Sequence, residues 1–131
     1  MKKAFLLLIS IMIVVACSSD DDSNSNPNKL VTPVLLTPSN NSTVNSDYYS
    51  EFTWSNVANA DQYLIQISSA SNFSNIVLDL TIDAEDYTDY GCYMATGELE
   101  NQAAYYWRVR AFGAGYDPSD YSESFSFTVN N

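Results

Sequence analysis

Histidine is absent from the 131-residue chain, and cysteine occurs only at Cys17 and Cys92. The first absence removes the commonest general base and the commonest neutral metal ligand together. The second leaves too few thiols for a zinc cluster or an internal disulfide framework. Lysine and arginine number 5 against 16 acids, a formal charge of −11, which makes nucleic acid a poor partner. Lys2 and Lys3 lie at the extreme N-terminus, so the rest of the chain is more acidic still. No phosphate loop, dinucleotide fingerprint or nucleophile elbow is found, and no cofactor is implied. No apolar run reaches the roughly 20 residues that a membrane-crossing helix needs.

What is present is apolar surface for one core: 46% hydrophobic and 14% aromatic residues, with ten tyrosines. The length allows one domain of ordinary size. Lys2 and Lys3 precede an apolar stretch from Ala4 to Ala16 broken only by Ser10, the pattern of a cleaved secretory leader over residues 1–16. A retained anchor helix is the alternative. Val14, Val15 and Ala16 run into Cys17, which resembles the bacterial lipobox. That resemblance implies a lipid attached to the Cys17 sulfur and cleavage just before it, so that the membrane is reached through acyl chains. Ser18, Ser19, Asp20, Asp21 and Asp22 follow, then Ser23 to Asn28 without an apolar residue, so residues 17–29 read as a solvated acidic tether. The serines and aspartates resemble the export signal of surface lipoproteins of the Bacteroidota, which implies lipid-anchored display at the outer membrane. A periplasm-facing location is the competing address.

From Leu30 to Asn131 the pattern becomes short apolar alternations separated by Asn, Ser, Asp and Gly, which is an all-β signature. Val34 to Leu36 reads as an edge strand closed by a turn at Thr37 to Asn41. Phe52 and Trp54 share a face, as do Tyr63, Ile65 and Ile67, although Leu64 interrupts the opposite polar face. Ile76, Leu78, Leu80 and Ile82 form an apolar face with Asp79 and Thr81 turned away. Tyr105, Trp107, Val109 and Ala111 point inward while Tyr106, Arg108 and Arg110 point outward, and Phe125, Phe127 and Val129 close the core. Trp54 with Ala60, Tyr63, Ile65 and Ile67, and Leu99 followed by Tyr105, Trp107 and Val109, are similar to the core and tyrosine corner of fibronectin type III domains. The resemblance spans about Thr32 to Val129, with the family's proline and threonine replaced by Asn101 and Ala103. It implies a seven-stranded antiparallel β-sandwich in which the Tyr105 hydroxyl ties back to upstream backbone.

Carboxylates cluster at Asp83, Glu85, Asp86 and Asp89, and at Asp117 and Asp120 around Pro118. A glycosidase needs two such groups across a cleft, and a small sandwich offers loops instead. A calcium loop pattern is incomplete, so solvated loop charge is the simpler reading. Tyr106, Tyr116 and Tyr121 are candidate ligand contacts, since an exposed tyrosine offers stacking area with a polar tip; covering the domain's own apolar edge is the alternative. Arg108 and Arg110 beside Tyr106 admit either cross-strand pairing with acids or an anionic ligand. Tyr87, Tyr90 and Tyr93 are expected around Cys92, itself read as a small half-buried hydrophobe or a site of intermolecular disulfide formation. The expected function is a non-enzymatic surface module for adhesion, spacing or protein interaction. A glycan-binding accessory lipoprotein of a polysaccharide-utilisation system is the alternative.

Overall fold

In the computed structural model, residues 26–45, 49–86, 92–94 and 96–130 are described, with the side chains of 92 and 93 left out. The leader, Cys17, the Ser18 to Asp22 signal, and Tyr87, Asp89 and Tyr90 fall outside these residues, as do the side chains of Cys92 and Tyr93. The described residues form eight strands: β1 (Leu35–Thr37), β2 (Ser42–Asn45), β3 (Ser50–Trp54), β4 (Gln62–Ser68), β5 (Ile76–Asp83), β6 (Cys92–Met94), β7 (Ala104–Phe112) and β8 (Phe125–Asn130). They make a three-stranded sheet ordered β1-β3-β6 and a five-stranded sheet ordered β2-β8-β7-β4-β5. Two sheets packed face to face, with no helix among the described residues, make a β-sandwich.

Two features depart from the expected seven antiparallel strands. The turn after β1 does not close a hairpin but carries the chain to the other sheet, where Asn41 N–H donates to Ser126 O (2.8 Å) and β2 begins. Asn41 sits at φ 61°, a left-handed conformation that asparagine tolerates well. β2 then pairs with β8 in parallel, Ser42 opposite Phe127 through Asn45 opposite Asn130. The first strand is thus split between the sheets, which adds a strand and supplies one parallel pair.

The core follows from period-two alternation. Phe52 and Trp54 from the small sheet meet Tyr63, Ile65, Ile67, Tyr105, Trp107, Val109, Phe127 and Val129 from the large one, all buried. The Phe52 ring joins the layers by edge contacts to Trp107 (5.0 Å between centroids) and Phe127 (5.6 Å), and Trp54 meets Tyr63 edge-on at 5.4 Å. Such pairs add about 0.5–1.5 kcal/mol beyond the area they bury. β5 behaves differently. Its Leu78, Leu80 and Ile82 stand opposite Ile67, Ile65 and Tyr63 and so share the core side, yet Leu80 is 38% exposed while Ile65 is 0%. The five-stranded sheet is wider than its partner, so its last strand overhangs.

Candidate functional site

Alternation along β7 turns Tyr106, Arg108, Arg110 and Phe112 to the outer face of the large sheet. Two loops reach over that face. The β4–β5 loop brings Phe73, held at φ 59°, and the β7–β8 connection brings Tyr121. The Arg108 guanidinium carbon lies 4.0 Å from the Phe73 ring centre and 3.7 Å from that of Tyr121. The Arg110 guanidinium lies 5.3 Å from Tyr121 and 5.5 Å from Phe112. Ring and cation therefore alternate as Phe73, Arg108, Tyr121, Arg110, Phe112, and each planar guanidinium gains the attraction of a ring quadrupole.

Both arginines also donate hydrogen bonds, Arg108 to the neighbouring strand and Arg110 to the β7–β8 connection. Arg108 donates from Nε (3.0 Å) and Nη2 (2.8 Å) to Gln66 Oε1, and Gln66 Nε2 donates to Asp79 Oδ2 at 3.1 Å. Arg108, Gln66 and Asp79 stand in one cross-strand row over β7, β4 and β5. Arg110 Nε donates to Ser119 O at 2.7 Å. The direct arginine–acid pairing considered from sequence is replaced by a neutral amide in one case and a backbone carbonyl in the other. Tyr106 lies on the same face, half-buried between Ser68 and Ser126 in register. Tyr116 stands apart, 37% exposed in the β7–β8 loop. The sequence pattern sets Gln66 on the outward face but assigns no site role to it, to Phe112 or to Phe73; of these, Phe112 and Gln66 carried a signal, since each continues an outward alternation.

The acids flanking Pro118 serve as a latch. The Asn26 side-chain amide donates to the Asp117 carboxylate, and Leu30 N–H donates to Asp117 O (3.0 Å). Lys29 Nζ lies 2.7 Å from Asp120 Oδ2. Beside β7, serines take over beyond the end of its pairing with β8. Ala111 N–H donates to Ser119 Oγ (2.9 Å) and Val109 N–H to Ser122 Oγ (3.0 Å), both buried. Asp83 accepts from Gln62 Nε2 at 2.8 Å. No group of three or more potential metal ligands occurs among the described residues.

Two tyrosines pin the passages between sheets. Val57 N–H donates to the Tyr63 hydroxyl and Glu100 N–H to the Tyr105 hydroxyl, each at 2.9 Å. In the second contact the backbone donor lies five residues upstream of the ring, the arrangement of a tyrosine corner.

No protein-family model and no curated protein matches the chain. Among solved structures, it is similar to parts of two α-L-rhamnosidases. One is the enzyme of Streptomyces avermitilis, solved with L-rhamnose: TM-score 0.55, 14% identity, 78% of this chain and 10% of that one. The other is from Dictyoglumus thermophilum: TM-score 0.54, 18% identity, 75% of this chain and 12% of that one. This chain thus matches about a tenth of the length of each enzyme, and at such identity the likeness concerns the fold alone, which fits a generic β-sandwich.

Proposed function

We propose that the chain is a lipid-anchored surface lipoprotein whose folded body is one fibronectin type III-like module, used for adhesion, spacing or protein interaction and not for catalysis. The observation that carries the reading is the use already made of its polar groups: the arginines stack and bond against their own sheet and the two loops over it, and Asp117 and Asp120 hold the N-terminal segment. The β1-β3-β6 and β2-β8-β7-β4-β5 orders and the Tyr105 contact support the fibronectin type III assignment. The run Val14, Val15, Ala16, Cys17 supports lipid attachment, and Ser18 to Asp22 support display at the outer membrane. Metabolic labelling with an alkyne fatty acid tests the anchor. Label is expected on the native protein and absent from Cys17→Ser, which should move to the soluble fraction. Equal labelling of both, or of neither, would remove the lipoprotein reading.

A second reading, glycan binding, draws on one observation: Tyr116 presents a ring that is 37% exposed and takes no part in the arginine stack. Binding on a glycan array that is lost in Tyr116→Ala and kept in Tyr106→Ala would favour it.

A further inference from the structure

The two edges of the five-stranded sheet are unlike. β2 has four residues, whereas β5 has eight, from Ile76 to Asp83. Exposed edges invite another strand, and proteins blunt them with charged side chains, lysine above all, with proline or with bulges. β5 contains no lysine and no proline, its charges are the two acids Asp79 and Asp83, and its register irregularity is confined to the start, where Ser68 stands opposite Ile76. Among the described residues, no main-chain hydrogen bond reaches its far side between Ile76 and Ile82. Leu80 (38%) and Val77 (44%) remain exposed along it.

The charge on this edge specifies what could be added. Asp79 and Asp83 stand on its outer face and are oriented by the neutral amides of Gln66 and Gln62. Of the positive residues among those described, Lys29 is paired with Asp120, and Arg108 and Arg110 are stacked between rings. Depressions at the two ends of β5 have acidic walls, formed by Asp61 and Glu85 at one end and Glu98 and Glu100 at the other. Two registers of pairing with a second copy are disfavoured on this edge. Antiparallel self-pairing centred on Thr81 sets Asp79 opposite Asp83, and centred on Asp79 it sets that carboxylate against its own copy; like charges directly opposite destabilise a pair.

We propose that β5 is a docking edge that takes up an extended segment of a partner protein, alternately apolar and basic, as one further strand. The apolar residues would extend the half-covered row of Leu78, Leu80 and Ile82, the basic ones would meet Asp79 and Asp83, and main-chain hydrogen bonds would supply the common affinity. The proposal rests on reading the chain as an interaction module but not on how it is anchored, so the labelling result and the binding result can fail separately.

The test uses the full chain in mild detergent and a fluorescent peptide of alternating valine and lysine as long as β5. Saturable binding is expected, with amide shift changes concentrated from Leu78 to Ile82. N-methylation of the peptide along one edge leaves its charge intact and should weaken binding at least about tenfold, by removing main-chain donors. Asp79→Lys combined with Asp83→Lys should abolish binding of the lysine peptide and confer binding of the glutamate version, with a cooperative urea transition retained as the folding control. Equal binding of methylated and unmethylated peptides, shifts centred elsewhere, or a dimer assembled through β5 that excludes the peptide would overturn it.

Discussion

Tyr63 and Tyr105 hold opposite ends of the same sheet in the same way. Each stands at the start of a strand that the chain enters from the small sheet, β4 or β7, and each hydroxyl accepts from a backbone N–H in the connection just crossed. The two donors differ in depth, since the contact at Val57 is buried and that at Glu100 is part-buried. Tyr63→Phe strands a buried donor and is expected to cost about 1–3 kcal/mol, against about 0.5–1.5 kcal/mol for Tyr105→Phe. Urea denaturation of both variants checks the order. The double variant should be near additive, because the two hydroxyls accept from donors at opposite ends of the sheet.

Trp107 is 0% exposed and packs against Phe52 and Phe125. Trp107→Ala should destabilise the domain by about 3–5 kcal/mol through the cavity it opens. A urea melt showing a loss below about 1 kcal/mol would show that the indole is not structural.

Gly113 and Gly115 occupy one loop and are constrained differently. A Cβ on Gly113 would lie 2.2 Å from Asn59 O, whereas one on Gly115 would meet nothing within 4 Å and only the backbone, at φ 79°, resists it. Gly115→Ala is expected to cost about 1–2 kcal/mol. Gly113→Ala should cost more, because two loops must part to admit the methyl group. Thermal melts of the two variants give the comparison.

The stacked arginine predicts energetic coupling. Arg108→Lys removes the planar contact with Phe73 and Tyr121 and the fork onto Gln66, with an expected loss of about 1 kcal/mol. A double-mutant cycle with Tyr121→Leu should return a coupling of at least about 0.5 kcal/mol. A coupling of zero would mean that the ring and the guanidinium are merely adjacent.

Replacing Asp20, Asp21 and Asp22 with alanine should lower protease accessibility on intact cells if those residues direct surface display. Unchanged digestion would show that they carry no such address.

The strands legible in the sequence are those with several inward residues in strict alternation. β3, β4, β7 and β8 declare themselves through Phe52 and Trp54, Tyr63 to Ile67, Tyr105 to Ala111, and Phe125 to Val129. β2 has a single apolar residue, Val44, and exists because β8 offers a free edge, so local pattern had nothing to reveal. β5 was legible as a strand but not in its depth of burial. Alternation reports which residues share a face, and only the relative widths of the sheets decide whether that face is covered. The candidate site divides in the same way: the outward placement of Arg108 and Arg110 follows from period two, whereas Phe73 and Tyr121 arrive on loops whose paths are set by tertiary contacts.

The parallel pairing of β2 with β8 also decides how the body would respond to tension. A pull on the segment before β2 and a pull on the end of β8 drag the two parallel strands lengthwise in opposite directions. The four pairings from Ser42–Phe127 to Asn45–Asn130 then bear the load together in shear and cannot be peeled open one at a time. A sandwich whose first strand stayed in one sheet would lack that brace.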